Sequence, residues 1–267
     1  GAGGRGLPVR HGLPADAVAP MTAVVYAEQH WTTPRGRAVR MQYREGTNDW
    51  NTINAVMEDE YALAELPALS GLALDVGAHV GAVSVALAAD TPNLHVVAVE
   101  PLSVNCAMIE HQRQVNGLAD RLSVVCGAVD GASSPAHVEI RYDYEGNIPV
   151  FHHRFVGNTP FDKTHPADRW SVERAKRWTL AALLAQFGSV DFLKIDCEGA
   201  EFGFFEAPED NARVRLIYGE WHSVDTRVEA NYAVRTQAEL EQLLTSTHTL
   251  EFPGPQSGHG HFIARLR

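Results

Sequence analysis

The stretch LDVGAHVG at residues 74–81 decides the fold class of this chain. Its apolar start predicts the end of a buried strand, and the apolar residues that follow predict a helix. A glycine turn between a strand and a helix is typical of a cofactor-binding loop in an α/β protein. The turn is not the dinucleotide motif GxGxxG, because Ala78 and His79 follow the first glycine, and it lacks the GK[ST] of a phosphate-binding loop.

Short apolar runs alternate with helical segments on both sides of this stretch. Strands are predicted at 72–76, 94–99, 122–125, 192–195 and 214–218, and helices at 80–89, 104–115 and 237–244. This alternation predicts a doubly wound, mostly parallel sheet with helices on both faces. Two further strands, at 247–252 and 261–266, flank a Pro-Gly-Pro turn and predict a C-terminal antiparallel hairpin.

The remaining segments suggest one domain with two additions. Residues 1–20 are rich in Gly, Pro and Ala and are expected to be flexible, whereas residues 21–267 are expected to form a single domain. Residues 21–70 form a helical and strand extension, and residues 137–177 interrupt the series far beyond the usual connection of roughly 2–6 residues. This insertion is either one side of a substrate pocket or a surface hairpin. Its aromatic and basic residues are Tyr142, Tyr144, His152, His153, Arg154, Phe155, His165 and Trp170.

Composition limits the class of protein and its partners. The chain has 267 residues, 45% of them hydrophobic, and a formal net charge of −11. This charge disfavours nucleic acid and anionic membranes as partners. We expect a cytoplasmic protein, because no apolar stretch approaches the roughly 18 residues of a spanning helix and no signal segment is recognisable. Cys106, Cys126 and Cys197 contain no CxxC pair, which argues against a disulfide framework and a zinc site.

Acidic residues around the glycine turn indicate which cofactor it holds. Asp75 would lie where a dinucleotide places its pyrophosphate, so the turn favours a cationic ligand. S-adenosylmethionine carries an ammonium and a sulfonium and no phosphate. Glu100 ends the next strand, where a carboxylate accepts hydrogen bonds from ribose hydroxyls. Gly127 and Ala128, after the third strand, leave room for an adenine ring.

The fourth strand carries charges on one face. Lys194 and Asp196 point the same way by strand alternation, and a pair of opposite charges offsets part of its own desolvation. The first and fourth strands of a doubly wound sheet meet at the switch point, where ligands bind. We therefore expect Asp75 and Asp196 to face one cavity.

Glu220 and His222 close the fifth strand and are expected to flank Asp196. His222 is the preferred general base, because its ordinary pKa of about 6.5 suits proton removal at neutral pH, and Glu220 is the fallback. A second interpretation makes Asp196, Glu220 and His222 ligands of a divalent cation, which is not favoured. The third is a hydrogen-bonded strand end without chemistry.

Three of these segments together resemble a known family. DVGAHVG at 75–81, VEP at 99–101 and DFLKIDCEGAE at 191–201 are similar to the FkbM-type family of S-adenosylmethionine-dependent methyltransferases. The resemblance extends over roughly residues 46–223 and includes GTND at 46–49, a polar turn upstream of the glycine motif. The sequence departs from the commoner pattern at His79, where Asn is frequent, and at Cys197, where Val is frequent.

The resemblance implies a seven-stranded class I methyltransferase sheet and methyl transfer, usually to a hydroxyl of a sugar or natural product. The sequence thus predicts an S-adenosylmethionine-dependent O-methyltransferase with a small hydroxylated acceptor. The alternatives are a cofactor-binding module without catalysis and a nucleic-acid or N-methyltransferase. The predicted catalytic residues are His222, Asp196 and Glu220. The predicted cofactor-binding residues are Asp75, Gly77, Ala78, His79, Gly81, Glu100, Pro101, Gly127, Ala128 and Asp196.

Overall fold

A computed structural model of the protein describes residues 24–145, 148–155, 170–223, 235–254 and 259–267. The strands are β1 (Tyr26–Thr32), β2 (Ala38–Arg44), β3 (Gly71–Val76), β4 (Leu94–Glu100), β5 (Leu122–Cys126), β6 (Ala128–Val129), β7 (His137–Glu145), β8 (Ile148–Phe155), β9 (Trp170–Trp178), β10 (Phe192–Ile195), β11 (Leu216–His222), β12 (His248–Glu251) and β13 (His259–Leu266). The helices are α1 (Asp49–Met57), α2 (Ala82–Asp90), α3 (Ser103–Val115), α4 (Leu180–Phe187), α5 (Glu201–Phe204), α6 (Pro208–Asn211) and α7 (Gln237–Leu244), with a 3₁₀ turn at Leu63–Glu65.

The main sheet has seven strands in the order β12-β13-β11-β10-β3-β4-β5. The pairs from β11 to β5 are parallel, and β13 runs antiparallel to both β11 and β12. This confirms the predicted fold class and the C-terminal hairpin. It also places β3 and β10 side by side, as the switch-point argument requires, with Asp75 paired to Lys194 in the register.

The hydrophobic core lies on both faces of this sheet. Successive residues of a strand belong to different clusters: Ala73 packs in one and Leu74 in the other, and the same holds for Phe192 and Leu193. Strands buried on both faces read as continuous apolar runs, which is why the sequence located them. Strand β11 begins at Leu216 and continues to His222, later than predicted, because Val214 makes only an isolated bridge.

The extension and the insertion both carry strands. In the extension, β1 and β2 form an antiparallel hairpin. In the insertion, β7 pairs antiparallel with β8 and β9, and β9 pairs with β6 to complete a four-stranded sheet. The side chains of the insertion's predicted aromatic and basic residues lie outside the described part of the chain, as do residues 1–20.

The cysteines depart from the sequence prediction. Cys106 of α3 and Cys126 at the end of β5 form a disulfide, with their Cα atoms 5.9 Å apart, and Cys197 is free. The expectation of unpaired cysteines is therefore wrong for two of the three. Their 20-residue separation carries no motif, and only the packing of α3 beside β5 brings them together. Within the described ranges, no helix has both the length and the apolar character needed to cross a membrane.

Candidate active site

A cavity of about 690 Å³ opens at the carboxyl ends of the parallel strands. Its wall comes from the turns after β3, β4, β5 and β10, from the start of α1 and from β7 of the insertion. It includes the predicted cofactor residues Gly77, His79, Glu100, Pro101, Gly127, Ala128 and Asp196. It also includes Thr47, Asn48, Asp49, Asn51, Thr52, Ile140 and Glu198, which had not been assigned to the site.

Gly77 lets the ends of β3 and β10 approach each other. Its φ is +74°, and a Cβ atom built on it would lie 1.8 Å from the carbonyl oxygen of Asp196. No other residue type fits that spacing. The buried Lys194 ammonium donates a hydrogen bond of 2.9 Å to the Gly77 carbonyl, which ties the turn to β10.

Glu100 lines the cavity but is already strongly engaged by the protein. Its carboxylate accepts hydrogen bonds from the backbone N–H groups of His79 and Leu102, at 2.9 and 3.1 Å, and from the side-chain amide of Asn105 at 3.0 Å. The carboxylate therefore fixes the glycine turn and the start of α3. The predicted ribose contact would be made by a group that these three donors hold in place.

Asp75 does not face the cavity, which corrects the prediction that it shares the wall with Asp196. The side chain is fully buried, accepts a hydrogen bond of 2.6 Å from the Ser84 hydroxyl and lies 3.6 Å from Lys194 Nζ. Burial raises the pKa of Asp75, and the Lys194 charge opposes that rise. The cation that meets Asp75 is thus Lys194, which the parallel pairing of β3 and β10 places opposite it.

Two other predicted cofactor residues, Ala78 and Gly81, belong to the turn but do not line the larger cavity. Ala78 is buried and lines a separate, smaller cavity. Gly81 precedes α2 with φ of +86°, and a Cβ atom there would lie 3.0 Å from the Ile109 side chain. Neither is among the residues of the larger cavity wall. The sequence pattern marks the whole turn, but only part of a turn can face a ligand.

The polar turn at 46–49 joins the site through a buried ion pair. Arg44 binds Asp49 with two hydrogen bonds of 2.6 and 2.7 Å, and the Asp49 carboxylate lies 3.4 Å from His79 Nε2. Burial opposes ionisation of Asp49, but Arg44 and His79 outweigh it and lower its pKa. His79 itself has φ of +51°, an uncommon conformation for a residue with a side chain. The extension is therefore anchored to the glycine turn at the cavity.

Asp196 occupies the junction of the two cavities. It lines both, and its Oδ2 accepts a hydrogen bond of 2.9 Å from the Tyr61 hydroxyl and lies 3.9 Å from Lys194 Nζ. Burial and the Asp196 charge raise the pKa of Tyr61 well above its ordinary value, so the phenol stays protonated and donates. Burial lowers the pKa of Lys194, but the charges of Asp196 and Asp75 outweigh it and raise the pKa overall.

His222 lies close to both Asp196 and Glu220, and neither His222 nor Glu220 is among the residues that line the larger cavity. His222 Nε2 is 3.9 Å from Asp196 Oδ1 and 3.7 Å from Glu220 Oε1, and Nδ1 is 3.2 Å from Glu201 Oε1. Burial lowers the pKa of His222, but the Glu201 hydrogen bond and the charges of Glu201, Glu198 and Asp196 raise it to about 9. A ring with this pKa is mostly protonated at neutral pH, which disfavours the predicted general-base role of His222.

One protein-family model matches most of this chain. Residues 75–249 match the model of the methyltransferase FkbM domain, about two thirds of the chain. This chain belongs to the FkbM methyltransferase family. The resemblance stated from the sequence is thereby confirmed. No curated protein sequence matches the chain significantly.

Solved structures similar to this FkbM-family chain are also methyltransferases, at low identity. A precorrin-6y C5,15-methyltransferase from Geobacter metallireducens is 11% identical, with 74% of this chain and 80% of that chain covered and a TM-score of 0.40. A predicted O-methyltransferase from Agrobacterium tumefaciens is 13% identical, with 76% of each chain covered and a TM-score of 0.39. The N-terminal domain of human METTL16 in complex with SAH is 12% identical, with 81% and 69% covered and a TM-score of 0.39. These likenesses are too distant to bear on the acceptor.

Part of the site of this FkbM-family protein lies outside the matched range. Asp49 and Tyr61 belong to the extension, and no sequence pattern indicates that Tyr61 reaches Asp196 across 135 positions. Asp49 could have been suspected from the polar turn at 46–49. Glu198 stood in the quoted DFLKIDCEGAE motif, but strand alternation does not extend beyond the end of β10, so its direction was not predictable.

Proposed function

We propose that this chain transfers a methyl group from S-adenosylmethionine to a hydroxyl group of a sugar or another small natural product. The observation that carries the proposal is the charge of the cavity wall. Four carboxylates line it, those of Asp49, Glu100, Asp196 and Glu198, whereas none of the lysines and arginines described in the structure does. Because Arg44 balances the charge of Asp49, it is Glu100, Asp196 and Glu198 that would attract a sulfonium and an ammonium and repel the pyrophosphate of a dinucleotide.

Both the extension and the insertion contribute residues to the cavity wall. Thr52 of α1 and Ile140 of β7 line the same cavity as the glycine turn. We therefore infer that residues 21–267 act as one methyltransferase domain. The insertion at 137–177 would form the acceptor side, because Ile140 of this segment lines the cavity. The low density of basic residues on this wall also favours a small acceptor over a nucleic acid.

In this proposal the chain's residues place the acceptor and move one proton. S-adenosylmethionine, when bound, supplies a methyl group already activated by its sulfonium. Asp196 would orient the acceptor hydroxyl towards that methyl group and accept the hydroxyl proton. Tyr61 holds the Asp196 carboxylate in one orientation through its hydrogen bond to Oδ2. Alignment of this kind contributes much of the acceleration in methyl transfer.

The test is transfer of tritiated methyl groups from S-adenosylmethionine to a panel of monosaccharides and glycosides and to their amino analogues. We expect labelling of hydroxyl acceptors, and a fall in rate of about 10²- to 10⁴-fold for Asp196→Asn. The matched control is Asp120→Asn, on an exposed loop residue. Labelling of amino analogues alone would overturn the oxygen assignment, and an unchanged rate for Asp196→Asn would remove it as the proton acceptor.

A further inference from the structure

Three potential metal ligands meet where β10 and β11 end. Asp196, Glu198 and His222 each offer one ligand atom, and all three atoms lie within 4.8 Å of one another. The parallel pairing of β10 with β11 brings them together, because their carboxyl ends share one edge of the sheet. This trio differs from the ligand set suggested by strand alternation, which contained Glu220 in place of Glu198.

The orientation of the His222 ring is that of a metal ligand. Nδ1 is held by Glu201 at 3.2 Å, and a histidine that binds a metal usually donates its other N–H to a carboxylate in this way. Nε2 faces oxygens of Glu220, Asp196 and Glu198 at 3.7, 3.9 and 4.0 Å. These separations are too long for hydrogen bonds. Ligand atoms that bind the same ion at about 2.1 Å lie about 3 to 4.2 Å from one another, and the three separations from Nε2 fall within that range.

A second observation, behind the ligands, is an incompletely compensated buried carboxylate. Glu201 is fully buried against the His222 ring, and its Oε2 has no hydrogen-bond partner among the described residues. Glu60 and Glu220 add further acidic charge around Asp196. A carboxylate withdrawn from water is costly unless a cation lies close to it. Without an ion, the protonated His222 ring supplies that cation, and a divalent ion on Nε2 would supply it in place of the proton.

We propose that Asp196, Glu198 and His222 bind one divalent cation of the Mn²⁺ and Mg²⁺ class. Two carboxylates and one imidazole suit Mn²⁺, and the mostly oxygen ligand set argues against thiophilic metals. Asp196 would bind through Oδ1, the oxygen nearest His222, which leaves Oδ2 for the acceptor proton. The ion would take the place of the proton on Nε2.

The position of the ion gives it a role beside the cavity. Asp196 and Glu198 line the larger cavity, so the ion would be reached from it and could bind two neighbouring oxygens of the acceptor. This points to an acceptor with adjacent oxygen functions, such as a vicinal diol. The role in catalysis rests on the proposed function, whereas binding of the ion does not.

The experiment is a titration of the full chain with Mn²⁺, followed by loss of the electron paramagnetic resonance signal of the free ion, without cofactor or acceptor. We expect one ion per chain for the wild type and at least tenfold weaker binding for Glu198→Gln and for His222→Gln. Glu198 is nearly half exposed, so its replacement is not expected to prevent folding. Asp120→Asn serves as the control and is expected to bind like the wild type.

Two results would overturn the metal site. One is a wild-type chain that leaves the free Mn²⁺ signal unchanged up to millimolar concentrations. The other is equal affinity in the wild type, Glu198→Gln and His222→Gln, which would place the ion elsewhere. Either result would leave methyl transfer untouched, because that activity is measured separately with labelled S-adenosylmethionine. Absence of labelling with normal Mn²⁺ binding would instead refute the proposed function alone.

Discussion

Tyr61 is the residue whose role the structure defines most sharply. Its buried hydroxyl donates to Asp196 Oδ2, and it lines the smaller cavity and not the larger one. We expect Tyr61→Phe to lower kcat about tenfold, since a lost hydrogen bond to a charged group is worth roughly 1.5 kcal/mol. Affinity for S-adenosylmethionine should stay the same.

Steady-state kinetics and a calorimetric titration of the variant check this prediction, with Tyr26→Phe, an exposed tyrosine on β1, as the control. An unchanged kcat would show that Tyr61 does not position Asp196. A parallel loss of cofactor affinity and thermal stability would show that it acts only as a packing residue.

Gly77 and Gly117 form a matched pair for testing the close approach of β3 and β10. Both have positive φ, at +74° and +65°, but a Cβ atom on Gly117 would meet nothing within 4 Å. Gly117→Ala should cost only the backbone strain, about 1 kcal/mol. Gly77→Ala should cost at least about 2 kcal/mol more, because the added atom overlaps the Asp196 carbonyl. Urea unfolding of the two variants measures the difference, and equal costs would contradict the assigned contact.

The sequence could predict a site residue where the local pattern determines which way its side chain points. Strand alternation and the glycine spacing placed Gly77, Glu100 and Asp196 at the site. The pattern failed for Asp75, since a residue near a strand end can turn into the sheet towards a neighbouring strand's lysine as well as towards a ligand. It did not predict the raised pKa of His222, because that pKa depends on carboxylates that come together only in the fold.

Among the elements of the fold, the insertion at 137–177 is the one about whose role the family resemblance says least. Strands β7 and β9 pair directly, with Asp143 opposite Trp170, and β8 is the edge strand. Replacing residues 144–169 by Asn-Gly would therefore join β7 to β9 while keeping Ile140 on the cavity wall. We expect this deletion variant to fold and to bind S-adenosylmethionine nearly as well as the wild type, but to lose methyl transfer.

Thermal unfolding, cofactor titration and the tritium assay on the deletion variant check this prediction. Loss of cofactor affinity together with the folding transition would mean that the segment is structural. Retained turnover would mean that the acceptor binds elsewhere.

Elements of the main sheet were predictable because both of their faces are buried, and helix α7 was predicted with the bounds it has. The boundaries of β11 were less predictable: the apolar run was placed at 214–218, whereas the strand begins at Leu216 and extends to His222. The sequence predicted the insertion's length, but not that β9 would pair with β6 beside the cavity, because such pairing is set by tertiary contacts.

For the whole molecule, the net charge of −11 and the four carboxylates on the cavity wall agree in sign. The prediction of a cationic cofactor rested on Asp75, which lies beside Lys194 instead, whereas the net charge argued only against nucleic acid and anionic membranes. The sequence could not predict the contribution of the extension, where Asp49 and Tyr61 reach the site over long separations in the chain. The proposal of a cationic cofactor over a phosphorylated one therefore rests on the carboxylates of the cavity wall.

The most direct test of this account is a calorimetric titration of the full chain with S-adenosylmethionine and, separately, with NAD. The account predicts one S-adenosylmethionine site per chain and no heat from NAD. In Glu100→Gln the binding should weaken by about 1 to 3 kcal/mol, since the charge proposed to meet the ribose is lost and the amide can no longer accept all three hydrogen bonds that hold the glycine turn. The exposed Glu209→Gln should bind like the wild type. Binding of NAD without binding of S-adenosylmethionine would contradict the account.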